Sequence, residues 1–120
     1  MLRYEPIGAR HVPLVEPMLD DADVLRFTGV PDPAPAGFAE QWLGRYVAAR
    51  ADGTKEGFAA FFEDDGALAG LALAPVIDPE GREMELGYMV PAPARGRGAA
   101  TAMLRWLTRW AFEERGALRV

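Results

Sequence analysis

Between Pro93 and Ala100 the chain reads Pro-Ala-Arg-Gly-Arg-Gly-Ala-Ala, so that Arg95 and Arg97 alternate with Gly96 and Gly98. Pro91 and Pro93 close the strand-like run before this stretch, and an alanine-rich helical pattern opens directly after it. Such a junction suits an anion. The first N–H groups of a helix have no intrahelical partner and lie at the positive end of its dipole. Glycine lets a ligand approach the backbone closely and adopts angles that other residues resist. Arginine adds charge-assisted hydrogen bonds to phosphate oxygens. The expected chemistry is the holding of a pyrophosphate by Arg95, Gly96, Arg97, Gly98, Ala99 and Ala100.

Two other phosphate loops fit poorly. No Lys-Ser/Thr pair follows a glycine here, and Gly96-Arg97-Gly98 lacks the third glycine of the dinucleotide fingerprint. The charge distribution agrees with a small anionic ligand. Residues 1–90 hold seven Lys or Arg against sixteen Asp or Glu, while residues 91–120 hold six Arg against Glu113 and Glu114. The net charge of −5 argues against general nucleic-acid binding, which depends on phosphate neutralisation by a basic surface. No apolar run approaches the roughly 20 residues a membrane span needs, and the N-terminus lacks the order of a signal peptide, so a cytoplasmic setting is expected. Without cysteine there is no disulfide, thiolate zinc site or cysteine nucleophile. Asp64-Asp65 and the Asp20, Asp21, Asp23 group lack the spacing of a metal loop, so no metal is expected. His11, the single histidine, has no ligand partner in the sequence.

The pattern of elements that must position the loop is readable. Residues 2–7 alternate as a short strand. Val12, Val15, Leu19, Leu25 and Phe27 follow a broken helical spacing divided near Pro17, which predicts one or two short helices. Residues 28–37 carry three prolines and read as a stiff loop. Phe38, Trp42, Leu43, Tyr46, Val47 and Ala49 predict an amphipathic helix ending near Asp52-Gly53. Residues 57–63 and 67–77 predict a hairpin around Asp64-Asp65-Gly66, and 82–90 the third strand of the same meander, the fourth of the chain, after the Asp78–Gly81 turn. On that strand Glu83, Glu85, Gly87 and Met89 share one face, and Met84, Leu86, Tyr88 and Val90 the other. Residues 99–115 read as the strongest helix, with Trp106 and Trp110 in the core, and 117–120 as the start of another strand. A helix between two strands favours a parallel crossover, so the expected fold is α+β with a mixed sheet, in one domain spanning 1–120.

The pattern Arg/Gln-x-x-Gly-x-Gly/Ala, met by Arg95, Gly98 and Ala100, resembles the acyl-CoA signature of the GCN5-related N-acetyltransferase (GNAT) family. With Glu85-Leu86-Gly87-Tyr88-Met89-Val90 before it, the stretch is similar to the branch of ribosomal-protein alanine N-acetyltransferases. The resemblance implies the acyl-CoA N-acyltransferase fold, here without its C-terminal third, because members continue through the rest of a fifth strand, a helix and two more strands. It implies acetyl-CoA as co-substrate, with pyrophosphate on the glycine-rich loop and the pantetheine arm against the backbone of Met89 and Val90. It further implies direct attack by a neutral primary amine, of a protein N-terminus or a small molecule. Glu85 then acts as base through water, a backbone N–H near Val90 holds the oxyanion, and the usual tyrosine acid lies beyond Val120. Trp42 and the proline-rich loop are candidates for an acceptor pocket. Three alternatives stay open: a CoA-binding or interaction module without turnover, a fragment of a longer enzyme, and a chain that pairs with a second copy along an open sheet edge.

Overall fold

A computed structural model describes residues 1–20 and 35–117. Strands β1 (Leu2–Pro6), β2 (Glu56–Phe62), β3 (Leu68–Asp78) and β4 (Glu83–Met89) form one sheet in the order β1-β2-β3-β4. Every pairing among them is antiparallel. The parallel partner expected at 117–120 lies, beyond Ala117, outside the described residues, as does most of the proline-rich loop.

Helical segments cover both faces of this sheet, which is why β2 and the first half of β3 are buried almost residue by residue and do not alternate. One face packs Ala59, Phe61, Leu71, Leu73 and Met89 against α1 (Val12–Val15) and α2 (Phe38–Asp52). The other presents small residues, Ala60, Ala69 and Ala72, to α3 (Ala99–Arg109), so that Met103 and Leu107 of α3 come down onto the sheet and are fully buried. Each such side chain contributes roughly 1.5–3 kcal/mol of transfer free energy. Trp106 stacks on Tyr4 of β1 with ring centroids 3.9 Å apart, and Phe58 meets both Trp106 and Trp110 edge-on.

Several local expectations are refined. The segment after β1 is a short series of 3-10 and α turns over Ala9–Asp20, through which Pro17 passes. Val47 is exposed, because the buried stripe of α2 runs through Ala39, Leu43 and Tyr46 and leaves Val47 beside it. The α3 helix widens into a π turn over Trp110–Glu114, closed by Arg115 N–H donating to the Trp110 carbonyl. Among the described residues no helix is long and apolar enough to cross a membrane.

Two polar clusters tie the layers together. Arg50 of α2 donates to Glu56 Oε1 at 2.7 Å and to the Ile7 carbonyl at 3.0 Å, so that one guanidinium joins the end of α2 to the end of β1 and the start of β2. His11 is buried. Its Nδ1 accepts from Gly8 N–H at 3.0 Å, which leaves Nε2 to donate to Glu5 Oε1 at 3.1 Å. Glu5 also meets Arg3 and Arg10, and these partners, Arg3 first, hold its carboxyl down to about 2. The lone histidine is a structural group.

Candidate active site

The end of β4 and the start of α3 are joined by a short connection. Met89 is buried on the α2 side, and Val90 is half-buried on the α3 side. A 3-10 turn over Ala92–Ala94 follows, with Ala94 N–H donating to the Pro91 carbonyl at 2.9 Å and Arg95 N–H to Ala92 at 3.2 Å. Gly96 (φ 83°) and Gly98 (φ 77°) both adopt the left-handed conformation, and Gly98 is the residue from which α3 starts. The first helical bond runs from Ala102 N–H to the Gly98 carbonyl at 3.1 Å. The N–H groups of Ala99, Ala100 and Thr101 therefore precede it and lack intrahelical acceptors. A Cβ placed on Gly96 or Gly98 would meet nothing within 4 Å, so the space beside both is open to a ligand. Positive-φ turns leading into a helix start suit an anion, and this connection fits a pyrophosphate.

The two arginines differ from the simple picture of free cations. Arg97 lies over the Phe62 ring, 3.5 Å from its centroid, and reaches Asp65 at 3.3 Å and Asp64 at 3.4 Å in the β2–β3 turn. Asp65 is held below the usual carboxylate range, first by its bond from Ala67 N–H and also by Arg97. These contacts are long and exposed, and such pairs are worth little in water, so a phosphate can compete for the guanidinium. Arg95 is exposed at the start of the loop. Beside Arg97, Gly98 and Ala99 an open groove of about 590 Å³ runs along α3 past Arg105 and Arg109.

Glu85 is exposed on β4 opposite Val76. Between that pair and Leu73↔Gly87 the register slips by one residue, placing a bulge at Ala74-Pro75 of β3. Facing the bulge is a second pocket of about 320 Å³ lined by Trp42, Arg45, Tyr46, Lys55, Pro75 and Gly87, with Leu73 and Tyr88. Trp42 thus lines this pocket together with Gly87 of β4, whereas Arg45, Tyr46 and Lys55 were not expected as site residues. Arg45 was legible in principle, three residues from Trp42 on one helix face. Lys55 was not, because its place depends on the bulge: its Nζ donates to the Pro75 carbonyl at 2.7 Å.

Burial pushes the Tyr46 hydroxyl up to about 12. The folded chain then keeps this proton when the unfolded chain, with an ordinary tyrosine near 10, has lost it. Its stabilising effect is complete below pH 10 and is lost as pH rises through 12. Melting curves from pH 9 to 12 should show a fall in Tm that is shallower in Tyr46→Phe; equal slopes would contradict this assignment.

The fold, an antiparallel sheet covered by helices with a glycine-rich turn leading from β4 into α3, is the acyl-CoA N-acyltransferase fold. Residues 2–120 match the acetyltransferase (GNAT) domain, and the chain belongs to that family. Comparison with curated proteins gave no match. Among solved structures, RimL, a ribosomal-protein α-N-acetyltransferase in its apo form, is 18% identical with a TM-score of 0.76, over 97% of this chain and 62% of its own. The spermidine N-acetyltransferase of Vibrio cholerae, in complex with CoA and spermine, is 14% identical with a TM-score of 0.74, over 92% and 63%. At such identities the likeness shows the fold. The chain spans less than two thirds of the length of these neighbours.

Proposed function

We propose that the chain binds acetyl-CoA and transfers its acetyl group to a primary amine, in the manner of the ribosomal-protein N-acetyltransferase branch. One observation above all supports this reading: two left-handed glycines open directly onto the start of α3, shortly after the strand that bears Glu85 and Met89 and is followed by Val90. In this reading the N–H groups of Ala99 and Ala100, with Gly96 and Gly98, hold the pyrophosphate. Arg95 and Arg97 supply charge, and the backbone of Met89 and Val90 lies along the pantetheine arm. The amine nitrogen attacks the thioester carbonyl, a C–N bond forms and the C–S bond breaks. The ammonium first gives one proton through water to Glu85 so that the neutral nitrogen can attack, and the second proton that nitrogen loses passes to the departing thiolate, which becomes the thiol. An amine with a pKa near 10 is mostly protonated at neutral pH, which is why a base is needed.

Acetyl-CoA at a hundredfold excess over its dissociation constant is expected to stabilise the fold by about 2.7 kcal/mol. Thermal unfolding against ligand concentration measures this, and an unmoved transition would overturn the reading. Thiol release in the presence of amines then separates transfer from binding alone.

A further inference from the structure

We infer that the amine accepted by this chain is one flanked by a carboxylate, and that polyamines are disfavoured. The inference rests on the acetyl-transfer reading and adds to it the acceptor class. Its basis is the pocket between α2 and the bulged β3–β4 pair. Gly87 forms part of its wall two residues before Met89, so at a rise of about 3.3 Å per residue the pocket begins roughly 7 Å from the strand end where the acetyl group would lie. A Cβ at Gly87 would meet nothing within 4 Å, so the absence of a side chain there opens the pocket. Its other walls are the aromatic rings of Trp42 and Tyr46, which meet edge-on at 5.1 Å.

The charge of the pocket is one-sided. Both ionisable groups of permanent charge along it are cations, Arg45 and Lys55, and no Asp or Glu is among its described lining residues. Lys55 spends one donor on the Pro75 carbonyl and stands 5.6 Å from the centre of the Tyr46 ring, which leaves further ammonium protons for an acceptor group. Glu85 stands two residues before Gly87, on the same side of β4 by strand alternation. The order along β4 is therefore Glu85, the pocket bordered by two cations at Gly87, and the strand end at Met89 where the thioester would lie. An amine flanked by a carboxylate matches that order, its carboxylate against Arg45 and Lys55 and its nitrogen toward the strand end. A polyamine would bring a second positive charge against Arg45 and Lys55, a repulsive contact of the kind that sets specificity.

The test uses the intact chain with acetyl-CoA and four acceptors: Ser-Glu-Glu amide, Ser-Gln-Gln amide, free glutamate and spermidine. Thiol release gives kcat/KM, and isothermal titration in the presence of CoA gives binding without turnover. The acidic peptide or glutamate should exceed both the Gln peptide and spermidine at least tenfold, and the ratio of the first two tells a peptide terminus from a free amino acid. Arg45→Glu, at an exposed position of α2, should reverse the ranking, and Gly87→Leu should raise KM for every acceptor by filling the pocket. Spermidine as the best acceptor, or a ranking unchanged in Arg45→Glu, would overturn the inference while leaving acetyl transfer in place. No turnover of any acceptor, with no thermal shift by acetyl-CoA, would instead remove the acetyl-transfer reading and this inference with it.

Discussion

Gly98→Val is expected to weaken acetyl-CoA binding at least tenfold. Space is not the reason, since a Cβ at this position meets nothing within 4 Å. The reason is the backbone: φ is 77° at the residue from which α3 starts, and a left-handed angle costs an L-residue about 1–2 kcal/mol, more when it is β-branched. A valine relieves this by leaving the left-handed region, which turns the N–H groups of Ala99, Ala100 and Thr101 away from the ligand. A loss of about 1.4 kcal/mol in binding already amounts to tenfold. Gly98→Asn is the matched control, because asparagine tolerates this region, and it should keep most of the affinity. Isothermal titration of both variants decides the matter; wild-type affinity in Gly98→Val would mean that the loop geometry does not hold the ligand.

Gly70→Ala should destabilise the fold by about 3 kcal/mol, at the upper end of the range for overpacking a core. Gly70 is buried in β3 at a φ of 158°. A methyl group there runs into the carbonyl oxygen of Met89 and the terminal methyl of Met103. The Met103 side chain can turn aside, but the Met89 oxygen belongs to the backbone of β4 and moves only with its strand. The substitution therefore acts twice, on stability and on the strand end proposed to face the pantetheine arm. Gly44→Ala is the reference, since a methyl on that exposed position of α2 meets nothing within 4 Å and removes only chain entropy from the unfolded state. Urea unfolding of the pair should place them on opposite sides of wild type. A Gly70→Ala midpoint equal to wild type would show that β4 yields freely at Met89.

Much of this architecture was legible in the residue pattern, for reasons that differ between parts. The strands and α2 and α3 announce themselves because their buried faces repeat at short, fixed intervals. The loop announces itself because two glycines at one spacing, just before a helix, have few uses other than positive φ. What stayed hidden depends on pairing between strands. The slip that places Pro75 beside Gly87, and so shapes the second pocket, follows from how β3 and β4 align over Leu73 to Val76. Nothing near Arg97 in sequence suggested Asp64 and Asp65, which lie over thirty residues away and reach it only because the β2–β3 hairpin stands beside α3. The exposure of Val47 is likewise settled by what α2 packs against.

The sheet order also bears on assembly in time. The β2–β3 and β3–β4 pairings each close over a short turn, whereas β1 reaches its partner across all the residues from Ile7 to Lys55, with Leu2 opposite Phe62. Local pairings form early and distant ones late, because the entropy of closing a long loop must be met before any contact rewards it. The three-strand meander can therefore set the end of β4 while Tyr4 is still unstacked from Trp106, and β1 acts as the closing strap on a platform already laid down.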